Sequence, residues 1–341
     1  MNVIYGSSNE YAPYCGISVL SLFENNKDSE KIDVYIVDDN ISEENKSKFY
    51  EIEQQYNRKI TFLDRSKEIE ELKKLTPGAD HKGSNYQLLR VTPNIFPDVN
   101  RILSLGSDTI INGSIKEMYN TDMSNHVIAI VINPNYYLWF MYNFASYNFI
   151  AKKNKRIPIG DMCLFNMDLW NKKDYYDKIM QSMHDYEELK WDEFVLGFVV
   201  EQNDILPLHP KYNYIWFHKK KKYRYKLLSR IGLYTRTQID EAHDNPVIIH
   251  YGGGYSRPWL DGSMCPKQYR DIFMYYKEIS PWRDVPNEPF EEYPLKSVPF
   301  RKVLNKFMRT AIHHAPFWMY NVGIMDLRHI KRYNLHYRKK K

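Results

Sequence analysis

Through the first two-thirds of the chain, short apolar runs alternate with stretches whose apolar positions recur at helical spacing. Val3-Ile4-Tyr5 reads as a short buried strand, and the apolar residues between Ala12 and Phe23 follow the period of a helix. Ile32 to Val37 predicts a second strand, which ends in Asp38-Asp39-Asn40. Ser42, followed by Glu44 and Asn45, opens a helix through about Gln55, and Lys59 to Leu63 predicts a third strand. Arg101 to Leu105 is the fourth, with Gly106-Ser107-Asp108 directly after it. The sheet continues with Val127 to Ile132 and Met162 to Asn166. A helix starts near Asp168, Tyr186 to Val200 is largely helical and carries Asp192-Glu193, and Ile205 to Leu208 is short and extended. Pro246 to Ile249 predicts another strand, which places His250 at its end. Strands separated by helices of this length predict an α/β fold with a mostly parallel sheet covered on both faces, and ligands on such sheets bind beyond the carboxyl ends of the strands. A nucleotide-type site is therefore expected after Tyr5, Val37 and Leu105.

Composition changes this picture only at the ends. The chain of 341 residues is long enough for a large core, with 15% aromatic residues and 29 Tyr. The three cysteines, Cys15, Cys163 and Cys265, are widely spaced and lack metal-ligand spacing, so neither a disulfide framework nor a zinc site is expected. The N-terminus turns polar too soon for a signal peptide, and no apolar run reaches the roughly 18 residues of a membrane span, so the expectation is a cytoplasmic protein. The net charge of +6 conceals an asymmetry: residues 301–341 hold eleven Lys/Arg against the single acid Asp326, which gives +10 there and leaves −4 for the first 300. Apolar and aromatic residues such as Phe307, Ile312, Phe317 and Trp318 interleave with Arg301, Lys302, Lys306 and Arg309. That pattern suits a basic amphipathic segment on an anionic membrane surface. The competing reading is a helix docked on the body with a solvated basic face; no nucleic-acid motif accompanies the charge. His218 to Arg230, with seven Lys/Arg in thirteen residues, reads as a solvated basic loop.

The densest chemistry lies in His250-Tyr251-Gly252-Gly253-Gly254-Tyr255-Ser256-Arg257-Pro258-Trp259. An imidazole at a strand end is followed by backbone nearly bare of side chains, then a fixed cation and an aromatic wall. A pyrophosphate suits that order, because glycines let main-chain N–H groups approach its oxygens, a guanidinium supplies paired donors, and the imidazole can complete a divalent-metal site. A plain glycine turn with a hydrogen-bonded core histidine is the alternative.

With these segments placed, the chain resembles glycosyltransferase family eight, a retaining group. Val3 to Tyr14 is similar to that family's first strand and uridine loop, Arg101 to Ile115 to its metal-binding strand end, Met162 to Trp170 to its sugar-pocket strand and helix start, and His250 to Trp259 to its diphosphate and metal loop. The four segments stand in family order over residues 1 to about 260. The resemblance implies a single nucleotide-sugar-binding domain of the GT-A kind over 1–265, with a mixed, mostly parallel sheet; from its composition, 266–341 is expected to be a helical basic-aromatic extension. It implies transfer of glucose or galactose from a UDP-sugar to a glycan, lipid-linked or protein-linked acceptor, with Mn²⁺ or Mg²⁺ held by Asp108 and His250. Gly6, Ser7, Ser8, Tyr11, Arg90, Ser107, Asp161, Gly253 and Arg257 would meet the donor, and Asp192 and Glu193 would take the catalytic places. Glu193 stands where glutamine is common in the family; a carboxylate there suits a nucleophile or a stabiliser of positive charge, but equally an ordinary acid in a first helical turn.

The departures are as informative. Gly106 occupies the place of the first acid of the Asp-x-Asp motif, Ser8 that of an aspartate that reads uracil, and Leu89 that of an arginine, with Arg90 adjacent. Ile159-Gly160-Asp161 replaces Asn-Ala-Gly, and Arg257 replaces a lysine while offering a bidentate fork. Two further readings follow from them: a catalytically impaired relative that acts as a partner or scaffold for an active glycosyltransferase, and an enzyme with another donor base.

Overall fold

The structure, a computed structural model, describes residues 1–75, 88–92, 98–132, 160–186, 192–215, 234–252, 257–263 and 265–289. Among the described residues nine strands are formed: β1 Asn2–Ser8, β2 Asp33–Asp39, β3 Lys59–Asp64, β4 Arg101–Leu105, β5 Thr109–Ile111, β6 Ile128–Ile130, β7 Met162–Asn166, β8 Ile205–Pro207 and β9 Ile248–His250. Seven of them make one sheet in the order β3-β2-β1-β4-β7-β6-β8, and β5 and β9 pair separately. β3, β2, β1 and β4 run parallel, β7 runs against both β4 and β6, and β8 is parallel to β6. The sheet is therefore mixed and mostly parallel, as expected. Val3, Ile4, Tyr5, Val34, Ile36, Ile102 and Leu103 are all fully buried within it, in keeping with parallel strands covered on both faces.

Local chemistry sets the helices. α1 (Ala12–Glu24) has proline in its first turn, where the missing N–H costs nothing, and is buried along nearly its whole length. α2 (Glu43–Tyr56) starts at Ser42, whose hydroxyl accepts the Asn45 N–H at 3.2 Å, and stops at Asn57 in the left-handed region. α3 (Ser66–Leu75) and α4 (Lys116–Tyr119) follow. α5 (Met167–Lys172) is capped by the Asn166 side chain. The helix expected from Asp168 onward breaks at Asp174, which adopts φ 52°, and resumes as α6 (Tyr175–Asp185). Within the stretch expected to be largely helical, Tyr186 to Val200, Tyr186 is extended and closes α6, and α7 spans Asp192–Val199; residues 187–191 lie outside the described residues. α8 (Arg236–Asp244) opens with a full capping box between Thr235 and Gln238. Among the described residues no helix is long and apolar enough to cross a membrane, and Cys15, Cys163 and Cys265 are free and buried.

The start of the segment assigned to the extension packs on α1 and α2. α9 (Lys267–Glu278) lies against α1, and just after it Trp282 covers Gly16, donates from its indole to Asn45 Oδ1 at 2.8 Å, and meets Phe49 edge-on at 5.0 Å. The basic-aromatic stretch 301–341 and the basic loop His218 to Arg230 lie outside the described residues. A Cβ on Gly16 would sit 2.0 Å from the Trp282 ring. Gly16→Ala should therefore destabilise the fold by about 1–3 kcal/mol through overpacking, read as a lowered urea midpoint, whereas a change below a few tenths would show that the ring moves aside freely.

Candidate active site

The centre of the site is made by strand pairing. Thr109 of β5 is opposite His250 of β9, and the Tyr251 N–H donates to the Asp108 carbonyl at 2.9 Å. Asp108 and His250, remote in the chain, thus become neighbours at one end of a short ladder. A third segment joins from the other side: Gly106, directly past β4, donates its N–H to the Asp161 carbonyl at 2.6 Å. Asp161 adopts φ 65°, a left-handed conformation that turns its side chain toward the other two. One ligand atom from each of Asp108, Asp161 and His250 lies within 4.8 Å of the others.

The imidazole is held from behind. His250 Nδ1 is 3.1 Å from Asn213 Oδ1, and the Asn213 amide donates to the Gly160 carbonyl at 3.2 Å. Asn213 is buried, so its oxygen fixes the ring with the Nδ1 proton pointing at it and Nε2 facing the carboxylates. Nε2 lies 3.5 Å from Asp108 Oδ1 and 3.1 Å from Asp161 Oδ2. This buried nitrogen faces both carboxylates as ion-pair partners and satisfies no hydrogen bond. The imidazole side chain is 5% exposed and packs over Gly252, where a Cβ would sit 2.9 Å from Nε2. An orphaned buried nitrogen facing two carboxylates, with its other nitrogen oriented by an amide, fits a divalent cation of the Mn²⁺ or Mg²⁺ kind, whose remaining positions water and phosphate oxygens can fill.

The electrostatics agree. Burial alone would lower the His250 pKa, but the carboxylates of Asp108 and Asp161 outweigh it and raise it well above 6.5. Burial likewise opposes ionisation of Asp108, yet His250 and, further away, Arg257 hold its pKa below 3.8. Without an ion, His250 is the raised case: its pairing stabilises the fold fully below pH 6.5 and is lost as pH climbs through the raised value. A cation must displace that proton.

Arg257 approaches from the loop after β9. Its guanidinium lies 5.6 Å from the Tyr11 ring and 5.9 Å from the Trp259 ring. Trp259 is buried and stacks on Tyr14 at 4.0 Å, and the Tyr14 hydroxyl donates to Glu288 at 2.5 Å. The structure therefore unites Tyr11, at the start of α1, with Arg257. Gly6, Ser7 and Ser8 lie at the carboxyl end of β1, where Ser7 donates to the Ser8 carbonyl. Ser107 donates to the Gly6 carbonyl at 2.8 Å and so ties this end to that of β4. Arg90 is 1% exposed and directs Nη1 to Ser104 Oγ at 3.0 Å and the Leu105 carbonyl at 2.6 Å, contacts that brace the end of β4. Asp192 and Glu193 form the first turn of α7. Gly253 lies outside the described residues.

Asn213 is the residue that sequence reasoning missed. It sits in a short 3-10 turn, Pro210–Asn213, and nothing local marks it. Its partners come from β9 and from Gly160, so only the assembled fold reveals it.

A mixed, mostly parallel sheet with helices on its faces and an acid–acid–histidine centre at its strand ends has the GT-A-like fold. The sequence matches Glycosyl transferase family 8 over residues 2–263, and the chain belongs to that family. It is 23% identical over 297 residues to General stress protein A of Bacillus subtilis (strain 168), an alignment that covers 84% of this chain and 96% of that one. To the lipopolysaccharide 1,2-glucosyltransferase of Escherichia coli it is 25% identical over 301 residues, 84% and 80% of the two chains. Galactosyltransferase LgtC, solved with donor and acceptor sugar analogs, superposes with a TM-score of 0.61 at 15% identity, over 83% of this chain and 99% of that one, and so shares the fold.

Two outcomes follow. Asn213→Ala should weaken Mn²⁺ binding by about 10–100-fold through loss of ring orientation, measured by manganese paramagnetic resonance; unchanged binding would remove the amide from the site. Because a proton must leave His250, Mn²⁺ affinity should rise from pH 6 to pH 8 in calorimetric titrations, and an affinity that falls over that range would contradict the pairing described.

Proposed function

We propose that the chain transfers a hexose, glucose or galactose, from a UDP-sugar to a glycan, lipid-linked or protein-linked acceptor, with retention of anomeric configuration. The observation that carries this reading is the convergence of Asp108 and His250 through the β5–β9 ladder, with Arg257 beside them. Family membership supports glycosyl transfer, and the glucosyltransferase and galactosyltransferase relatives support the choice of hexose.

Each residue has a defined task in this reading. Asp108 and His250 would hold a divalent ion for the donor diphosphate. When bound, that ion neutralises the negative charge which builds on the leaving nucleoside diphosphate as the glycosidic bond breaks. Arg257 adds a second cation from a fixed position, and such prearranged electrostatics is the largest contribution in chemistry of this kind. Tyr11 flanks the base. Asp192 accepts hydrogen bonds from sugar hydroxyls, and Glu193 stabilises the positive charge that develops at the anomeric carbon. The first 300 residues are acidic and the last 41 strongly basic, which supports an acceptor presented at an anionic membrane face on the cytoplasmic side.

Titration calorimetry tests the core of the reading. UDP should bind, and Mn²⁺ should tighten it; absence of heat both with and without the ion would eliminate a UDP-dependent enzyme. Asp108→Ala and His250→Ala should each reduce hydrolysis of UDP-glucose or UDP-galactose by about 100-fold or more. A chain acting only as a scaffold would show no turnover for the variants to lose, and preferred hydrolysis of a sugar carried on another nucleotide would reassign the base.

A further inference from the structure

The β4–β7 register pairs Leu105 with Met162. One rung further on, Gly106 stands opposite Asp161, and the Gly106 N–H donates to the Asp161 carbonyl. Side chains on one rung of an antiparallel pair leave the same face of the sheet. A Cβ built on Gly106 would lie 2.8 Å from Asp161 Cβ, 3.1 Å from its carboxyl carbon and 3.0 Å from Asp108 Oδ1. The space that a side chain at 106 would fill is thus already occupied, by a carboxylate delivered from the opposite strand. That carboxylate comes within 3.1 Å of the buried, orphaned His250 Nε2.

Two points make this more than proximity. Asp161 is at φ 65°, a conformation that few residues other than Gly, Asn and Asp adopt readily; the backbone there favours an acid that is short enough to fold back on its own turn. The same turn is fastened at Gly160 by Asn213, the residue that orients His250. One amide therefore sets the imidazole and the carboxylate relative to each other.

We propose that the carboxylate absent from position 106 has been exchanged across a single rung: Asp161 is the third protein ligand of the divalent ion with Asp108 and His250, and Gly106 is bare because Asp161 fills its place. This rests on the metal-dependent reading above and goes further, since it turns an apparent deletion in the site into a relocation. It also makes positions 106 and 161 interdependent. An acid is required at one of them, and a second side chain at the other is excluded by space.

The test measures Mn²⁺ binding by paramagnetic resonance at fixed UDP, with thermal melting to follow folding. Asp161→Asn keeps the left-handed turn and the volume but removes the charge; it should lower Mn²⁺ affinity about tenfold or more while melting as the parent does. Gly106→Asp alone should also bind weakly, because two side chains compete for one space. The exchanged pair Gly106→Asp with Asp161→Gly should recover affinity to within a few-fold of the parent. If Asp161→Asn binds Mn²⁺ as tightly as the parent while Asp108→Asn does not, the relocation is overturned and the metal-dependent reading stands. If the exchanged pair binds no better than Asp161→Gly, the relocation is likewise overturned. If the parent with UDP binds no Mn²⁺, the relocation and the reading beneath it fail together. Should the Gly106 variants not fold, Asp161→Asn decides the matter alone.

Discussion

The site depends on a ladder of three residues on each side. Isolated pairings of that length are marginal, so β5 and β9 are held together from outside. Ile110, Ile111, Ile248 and Ile249 are all essentially fully buried, and α1 lies against β5. Ser21 of α1 accepts the Ile111 N–H at 3.0 Å, and Tyr214 flanks β9 on its other edge, exchanging main-chain bonds with Ile248 and His250. Apolar burial of the ladder thereby fixes where Asp108 and His250 stand. Hydrophobic packing, not attraction between the charged groups, assembles the centre; the charges are placed by it.

Such placement has an electrostatic corollary. A buried imidazole is brought against two partly exposed carboxylates, and burying charge is unfavourable unless it is balanced. Protonated His250 balances the carboxylates in part, which accounts for its raised pKa. A divalent cation balances them more fully and engages the nitrogen that otherwise lacks a bond. The arrangement is thus a cluster whose own desolvation favours ion binding, and Asn213 prevents the ring from escaping the conflict by rotation.

The sequence disclosed what is local and withheld what is relational. Asp108 and His250 were legible because each directly borders an apolar strand, and a ligand site beyond strand ends is a general property of this sheet type. The parallel strands β1 to β4 were legible for the same reason. By contrast, the position of Asp161 beside Asp108 and His250 depends on β7 running antiparallel to β4 in one particular register, which no residue near 161 encodes. Nor does the local sequence encode the contact of Arg90 with the Leu105 carbonyl, since a lone arginine beside an apolar stretch carries no mark of which carbonyl its fork will meet.

The aromatic seat beneath Arg257 has a thermodynamic consequence. A long cationic side chain free in solvent surrenders rotational freedom when it grips a ligand, and that loss opposes association. Here Tyr11, Trp259 and, behind them, Tyr14 confine the guanidinium. Its disorder is removed when the chain folds, through burial of Trp259 and the Tyr14–Glu288 tether. In the proposed function, a diphosphate would meet a cation already confined, so a larger part of their attraction would remain as affinity.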